Sequence, residues 1–347
     1  MVRRSARSWL SLGLVVAGAL VVPLGLRAVS PLLRSPTAVP SYIPAIETPR
    51  ERAPFDEAVV ADLRGARPDY VTIGDSMAGS RIDTGDLSRL VHGNGVVGLF
   101  EAARESAYWY LAFKNWIVEA GVRPKTVVFF FRDENLTDPL FRVWPGALDR
   151  VAREKEPRLN QILASRANGS YYRVHLAAQT LYRHDAVRAW LEPRLLRAPA
   201  ALAADGPAQG ALIDRMNDEV FTLETLRPMA VADMRAADDA AFDFRKFLPT
   251  SVLPEIIRLS KASGIRVAFV RVQRRPEGNT PPRQSRALER YVSELASYLA
   301  ASGAAFHDDW GDPELPLEMY ADGDHIKGEY RSYYTAVLFR KAPGIFR

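Results

Sequence analysis

The chain of 347 residues contains no cysteine. A protein without thiols forms no disulfide, no thiolate-bound zinc or iron–sulfur site and no cysteine nucleophile. Lysine is scarce, with 7 residues against 39 arginines, and the net charge is only +5. No basic run with interleaved aromatic residues follows the N-terminus, so nucleic-acid binding is not indicated. Long internal apolar runs are also missing, which excludes a protein that crosses a membrane several times.

The N-terminus carries the one apolar run that is long enough to cross a bilayer. Residues 8–26 contain no charge and follow Arg3, Arg4 and Arg7. At about 1.5 Å per residue this run would span roughly 28 Å, and its basic flank is expected to stay in the cytoplasm. A cleaved signal peptide is the alternative, although no clear cleavage site follows. The predicted organisation is a signal anchor in the inner membrane over residues 1–27, a proline-rich linker over 28–54 and a periplasmic domain over 55–347.

The rest of the chain alternates between short β-rich runs and amphipathic helical stretches. Helices are expected from about Ser106, around residues 253–263 and 288–302, and over 330–339. Strands separated by helices predict a parallel sheet of roughly five strands with helices on both faces. The strand candidates cover residues 69–73, 96–100, 126–131, 266–272 and 304–307.

Residues 138–245 break this alternation. They are rich in arginine and alanine, and they show helical character without a convincing strand. A stretch of this length is too long for a simple loop. We therefore predict a helical insertion that lies over one edge of the sheet.

Three polar groups follow or flank the predicted strands. Gly74, Asp75 and Ser76 come directly after the first strand, Asn135 follows the third strand, and His325 precedes the closing helix. Each has an ordinary explanation as a helix cap, a turn or a surface residue. In open α/β sheets, however, ligand sites lie outside the carboxyl ends of strands. Their shared position therefore favours one acyl-transfer site.

The chemistry of such a site requires a base for the serine hydroxyl. An imidazole activates a serine when a third group fixes its tautomer and stabilises the imidazolium. Asp322 lies three residues before His325, within reach across a turn. A side-chain amide such as that of Asn135 can donate to a developing oxyanion.

These blocks resemble those of the SGNH/GDSL hydrolase superfamily over about residues 69–135 and 250–340. The resemblance implies a three-layer α/β/α, flavodoxin-like fold and no cofactor. It makes Ser76 the nucleophile, His325 the general base and Asp322 its orienting acid. The Ser76 N–H and Asn135 would form the oxyanion hole.

The sequence departs from the family pattern in two blocks. The loop over residues 101–106 lacks the glycine that usually supplies a second-block N–H, which leaves one oxyanion donor unassigned. Asp133 stands where the third block usually has a glycine. Asp324 is also a competitor of Asp322 for the imidazole.

The anchor together with the divergent blocks resembles single-pass proteins that partner a membrane-bound O-acyltransferase. That resemblance implies serine-dependent O-acyl transfer, expected to be acetyl transfer, to or from an exported polysaccharide or cell-wall glycan outside the cytoplasm. Two alternatives remain open, namely a plain ester hydrolase with the same residues and a non-catalytic anchored scaffold.

A metal site is a further alternative. His307, Asp308 and Asp309 could converge with the aspartates and the histidine of the late block, but the spacing matches no ligand motif, so no metal is expected.

Two arginines follow the fourth strand at the same edge of the sheet. Arg274 and Arg275 begin a loop that runs to residue 283. We predict that they bind an anionic or polyhydroxylated acceptor, with an ordinary solvated loop as the alternative. On this hypothesis, replacing both with alanine raises the acceptor requirement and leaves the cleavage of a small ester unchanged.

Overall fold

A computed structural model describes most of the predicted domain. It describes Val21, Gly25 and residues 55–101, 104–140, 148, 150–153, 156–166, 239, 242–276, 284–321, 323 and 325–346. The predicted anchor, the linker and most of the predicted insertion therefore fall on residues that are not described. Within the described residues, no helix is both long and apolar enough to cross a membrane.

Five parallel strands form one sheet in the order β2-β1-β3-β4-β5. Every residue of β1 and β3 is buried, as expected for strands that are covered on both faces. The five predicted strands are confirmed, and their bounds differ from the prediction by one residue at most. The strands are β1 (Tyr70–Gly74), β2 (Val96–Phe100), β3 (Thr126–Phe131), β4 (Arg266–Arg271) and β5 (Ala305–Asp308).

Helices cover both faces of this sheet. The α-helices are α1 (Glu57–Ala66), α2 (Ser76–Arg81), α3 (Thr84–Val91), α4 (Ser106–Leu111), α5 (Pro157–Arg166), α6 (Phe244–Phe247), α7 (Leu253–Ser263), α8 (Arg286–Ser302), α9 (Arg331–Lys341) and α10 (Pro343–Phe346). A π-helix spans Ala112–Val118, and single 3₁₀ turns span Leu248–Thr250, Leu317–Met319 and Gly328–Tyr330.

The sheet separates two hydrophobic cores, because successive side chains of a strand point to opposite faces. Val127 and Phe129 of β3 pack into the core that contains residues of α1, α4, α7 and α8. Val128 and Phe130 pack into the opposite core with residues of α2, α3, α9 and α10. The predicted arrangement of helix, sheet and helix layers is thereby confirmed.

The chain changes direction across the sheet beside β1. From β1 it continues to β2 on one side, and it then returns to β3 on the other side. In open α/β sheets, ligands bind outside the carboxyl ends of the strands at such a reversal. The residues directly after β1 and β3 therefore occupy the favoured place for a site.

The predicted continuous helix from Ser106 differs in the structure. It is α4 followed by the π-helix, and it is buried on nearly all sides instead of one face. A tertiary contact accounts for the burial of its polar side, since the fully buried amide of Asn115 donates to Val151 O at 2.5 Å and to Glu156 Oε1 at 2.7 Å. Residues from the start of the predicted insertion thus cover the side that the sequence pattern assigned to solvent.

Candidate active site

Ser76 is the first residue of α2, which begins two residues after the end of the interior strand β1. Asp75 has an extended backbone and caps the helix, because its Oδ1 accepts the Met77 N–H at 2.9 Å. A short polar side chain before the first helical residue satisfies one of the free N–H groups of the first turn. The helix cap that could explain this block is therefore present, and Asp75 provides it. The Ser76 side chain is not needed for the cap.

Gly74 allows α2 to pack closely against the sheet. A Cβ atom at this position would lie 2.5 Å from the Cβ of Ala78 and 3.3 Å from the Cβ of Phe130. Such separations are well below van der Waals contact. The glycine is required by this close approach of helix and strand, and it brings Ser76 to the edge of the sheet beside β3.

His325 lies against Ser76, although 249 residues separate them in sequence. Its Nε2 and Ser76 Oγ are 2.8 Å apart. His325 belongs to a tight turn that an antiparallel bridge between Tyr320 and Ile326 closes. The Ile326 N–H also contacts Ser80 Oγ at 3.4 Å, which ties the turn to α2. A serine and an imidazole at this distance have the geometry of a nucleophile and its general base.

The predicted orienting acid lies outside the described residues. Asp322 and its competitor Asp324 are not among the described residues, although Ala321, Gly323 and His325 are. The Ala321 N–H donates to His325 O at 2.9 Å across the turn. The orienting role of Asp322 therefore stays a prediction.

Asn135 is buried in the loop after β3, which neighbours β1. Its Nδ2 donates to Glu105 Oε2, a side chain of the loop after β2. The Asn135 N–H donates to Arg132 O at 3.0 Å and forms a turn directly after the strand. The amide thus follows β3, the neighbour of the strand that precedes Ser76. Its part in an oxyanion hole stays a prediction.

Asp133 explains the departure from the expected glycine. Its φ is 44°, a left-handed backbone conformation that glycine adopts freely and that aspartate tolerates better than most residues. Its buried carboxylate contacts Arg274 Nη2 at 2.5 Å and Arg271 Nη2 at 3.0 Å. Burial alone would raise the pKa of Asp133, but the charges of Arg274 and Arg271 outweigh it and hold the pKa below its usual value.

Arg274 and Arg275 lie at the expected edge of the sheet, with contacts that the sequence did not indicate. The Arg274 guanidinium pairs with Asp133, and only 12% of its side chain is exposed. The Arg275 N–H donates to Gly323 O at 3.0 Å, within the turn that carries His325. The main contact of the Arg274 guanidinium is therefore with the buried charge of Asp133. Acceptor binding by either arginine stays a prediction, and residues 277–283 of the loop are not described.

Two residues near the site were missed by the sequence analysis. Arg271 ends β4 with 1% exposure and contacts Asp133, Asp308 at 3.1 Å and Gln284 at 2.8 Å. The sequence does contain a signal for Arg271, which is a charged residue at the end of an apolar buried strand. A buried charge at such a position needs partners. Glu105 had no comparable signal, since its partner lies in a different loop.

The residues proposed for a metal site have other partners. Asp308 pairs with Arg271, while Asp309 contacts His307 Nε2 at 3.1 Å and accepts the Tyr334 hydroxyl. Across the described ranges, no group of three or more histidine and carboxylate side chains could hold a metal ion.

The chain matches no family model, and no curated protein matches it. Two solved structures from Bacteroides are similar in arrangement. One is a proposed acylhydrolase from Bacteroides fragilis, with 11% identity, a TM-score of 0.35, and coverage of 80% of this chain and 88% of that chain. The other is a GDSL-like lipase from Bacteroides thetaiotaomicron, with 12% identity, a TM-score of 0.34, and coverage of 81% and 90%. At this level of similarity, neither structure indicates a function for this chain.

Proposed function

We propose that the protein is a serine-dependent O-acyl transfer enzyme with Ser76 as nucleophile and His325 as general base. The observation that carries the proposal is the 2.8 Å contact between Ser76 Oγ and His325 Nε2 at the carboxyl edge of the sheet. Two residues so far apart in sequence meet there only because the α/β fold joins the first strand to the closing turn. Placement at the reversal point of the sheet supports a binding site in the same position.

The reaction would proceed in two half-reactions. Ser76 Oγ attacks the carbonyl carbon of an ester, and its proton passes to His325 Nε2. The tetrahedral intermediate then collapses, the ester C–O bond breaks, and the imidazolium returns the proton to the leaving alcohol. The second half-reaction repeats these steps with an incoming hydroxyl, which removes the acyl group from Ser76.

The Ser76 N–H and the Asn135 amide are the proposed donors to the oxyanion, and Asp322 is the proposed partner of the imidazole. Donors held in place before the reaction stabilise the developing charge without reorganisation. Asp133, Arg271 and Arg274 support this region, because their ion pairs join the loops after β3 and β4.

The proposed acceptor or donor is an exported polysaccharide or a cell-wall glycan, and the acyl group is acetyl. The uncharged run over residues 8–26 behind three arginines supports a single-pass anchor with the domain outside the cytoplasm. A membrane-bound O-acyltransferase is the proposed partner that delivers the acyl group. With water as the acceptor, the same residues would act as an ester hydrolase.

The test compares the purified full chain with the Ser76→Ala and His325→Ala variants. We expect a fluorophosphonate to label the wild type and both substitutions to lower the labelling rate by at least about 10³-fold. Ser263→Ala is the matched control, because this serine ends α7 and its hydroxyl donates to Leu259 O at 2.7 Å, remote from the nucleophile.

The products of an activated acetyl ester then separate the possible acceptors. Acetylated oligosaccharide in the presence of added glycan supports transfer, and free acetate alone supports hydrolysis. If labelling does not depend on Ser76 while both proteins are folded, the assignment of Ser76 as the nucleophile is wrong. The non-catalytic scaffold is then favoured when neither protein is labelled and neither releases acetate.

A further inference from the structure

Glu105 and Asn135 form a buried contact between two loops at the carboxyl edge of the sheet. Glu105 follows β2 and is 3% exposed, while Asn135 follows β3 and is 5% exposed. The Asn135 Nδ2 donates to Glu105 Oε2. Burying a carboxylate is costly unless it accepts hydrogen bonds, so a carboxylate in this place needs a reason.

The backbone position of Glu105 does not supply that reason. Glu105 is the N-cap residue of α4, where a side chain normally accepts an N–H of the first helical turn. Its carboxylate makes no such capping hydrogen bond and contacts the asparagine instead. The Glu105 side chain therefore contributes to the contact between the loops and not to the cap of α4.

The chemistry of the two groups determines which end of the Asn135 amide faces Glu105. A side-chain amide has a donor end and an acceptor end of nearly equal shape, whereas an ionised carboxylate only accepts. A carboxylate at Glu105 therefore holds the NH₂ end of Asn135 and disfavours the flipped amide. The second proton of Nδ2 is then kept in one orientation.

We infer that Glu105 is a positioning residue that fixes the Asn135 amide as a hydrogen-bond donor. The inference rests on the proposed function, in which this amide donates to the oxyanion. A flipped amide would present its oxygen to the developing negative charge and repel it. The loop over residues 101–106 lacks the expected glycine donor. It contributes instead the Glu105 carboxylate, which accepts a hydrogen bond from the proposed oxyanion donor Asn135.

The kinetic test is a double-mutant cycle in the full chain with an activated acetyl ester. Asn135→Ala is expected to lower kcat by about 10²-fold, as for the loss of one oxyanion donor. Glu105→Ala is expected to lower kcat by about 10-fold with KM changed by less than about 3-fold, because it frees the amide without removing it. The double variant is expected to match Asn135→Ala, since Glu105 acts through that amide.

Glu101→Ala is the control from the same loop, because the Glu101 carboxylate pairs with Arg150 at 3.1 Å. Its kcat is expected to equal that of the wild type. If the two substitutions multiply to about 10³-fold in the double variant, Glu105 acts independently of Asn135 and the inference is wrong.

A spectroscopic test keeps the inference separate from the proposed function. In ¹⁵N-asparagine-labelled full chain, the side-chain signal that Asn135→Ala removes is expected to shift upfield and to exchange faster in Glu105→Ala. Ser76→Ala should leave that signal in place. An Asn135 signal that Glu105→Ala leaves unchanged overturns the inference, whatever the activity of Ser76.

Discussion

At the scale of single residues, the site depends on how closely a helix can approach a strand. Ser76 is brought to the edge of the sheet because Gly74 has no Cβ to meet Ala78. A glycine directly after a strand is often explained by a sharp turn. The structure instead assigns it to packing, since its φ is not among the positive values found elsewhere in the described chain.

Gly74→Ala is therefore expected to destabilise the fold. The added Cβ would lie 2.5 Å from the Cβ of Ala78, so strand and helix must separate. Overpacking of this kind costs about 1–3 kcal/mol. Urea unfolding of the full chain measures the loss, and the fluorophosphonate labelling rate should fall as well, because Ser76 moves with α2.

Gly65→Ala in α1 is the matched control. A Cβ at this position meets nothing within 4 Å, so the change is expected to be neutral or to stabilise by up to about 1 kcal/mol. Equal unfolding free energies for the two alanine variants would contradict the role given to Gly74.

At the scale of elements, ion pairs hold the loops that carry the site. Asp133 after β3 pairs with Arg274 after β4, and the neighbouring Arg275 N–H donates to Gly323 in the turn of His325. Removing one partner of a buried pair leaves the other charge uncompensated. The contacts of Arg274 therefore indicate that its loss would affect more than the binding of an acceptor, contrary to the expectation from sequence.

Arg274→Ala is expected to lower the free energy of unfolding by about 2–3 kcal/mol at pH 7 and also to slow cleavage of a small ester. The pKa of Asp133 is lowered in the folded protein, so its contribution is present above the unfolded pKa of about 3.9 and is lost as pH falls through the lower folded value. The difference between wild type and variant should therefore shrink in urea titrations below about pH 4.

Arg275→Ala keeps the backbone N–H that contacts Gly323, and it serves as the control. Its unfolding free energy is expected to lie within about 0.5 kcal/mol of the wild type. A stability difference for Arg274→Ala that stays constant down to pH 3 would contradict the assigned ion pair.

The strands were predictable from sequence because their signal is local. Thr126–Phe131 is a continuous β-branched and aromatic run, which is typical of a strand buried on both faces. The burial of Asn115 in the π-helix at Ala112–Val118 was not predictable, since its partners Val151 and Glu156 lie in a distant part of the sequence. The hydrogen bond from Asn135 to Glu105 could also not be predicted from sequence, because it joins residues of two separate loops.

At the scale of the whole molecule, the α/β topology brings the residues of the candidate site together. The reversal beside β1 places the ends of β1 and β3 together, and the closing turn returns to α2. Sequence reasoning predicted Ser76 and His325 as partners, because the Ser76 block lies at the carboxyl end of a strand and a serine nucleophile requires a base. The identity of the acceptor does not follow from topology, since it depends on side chains around the site and on the predicted anchor and insertion.

Trapping of the acyl-enzyme most directly tests the central claim that Ser76, activated by His325, carries the acyl group. The full chain is mixed with an activated acetyl ester, quenched in acid during the first turnover and digested for mass spectrometry. We expect the acetyl group on the peptide that contains Ser76, and its loss in both Ser76→Ala and His325→Ala. Acetylation confined to another residue, or equal acetylation in these variants, would contradict the claim.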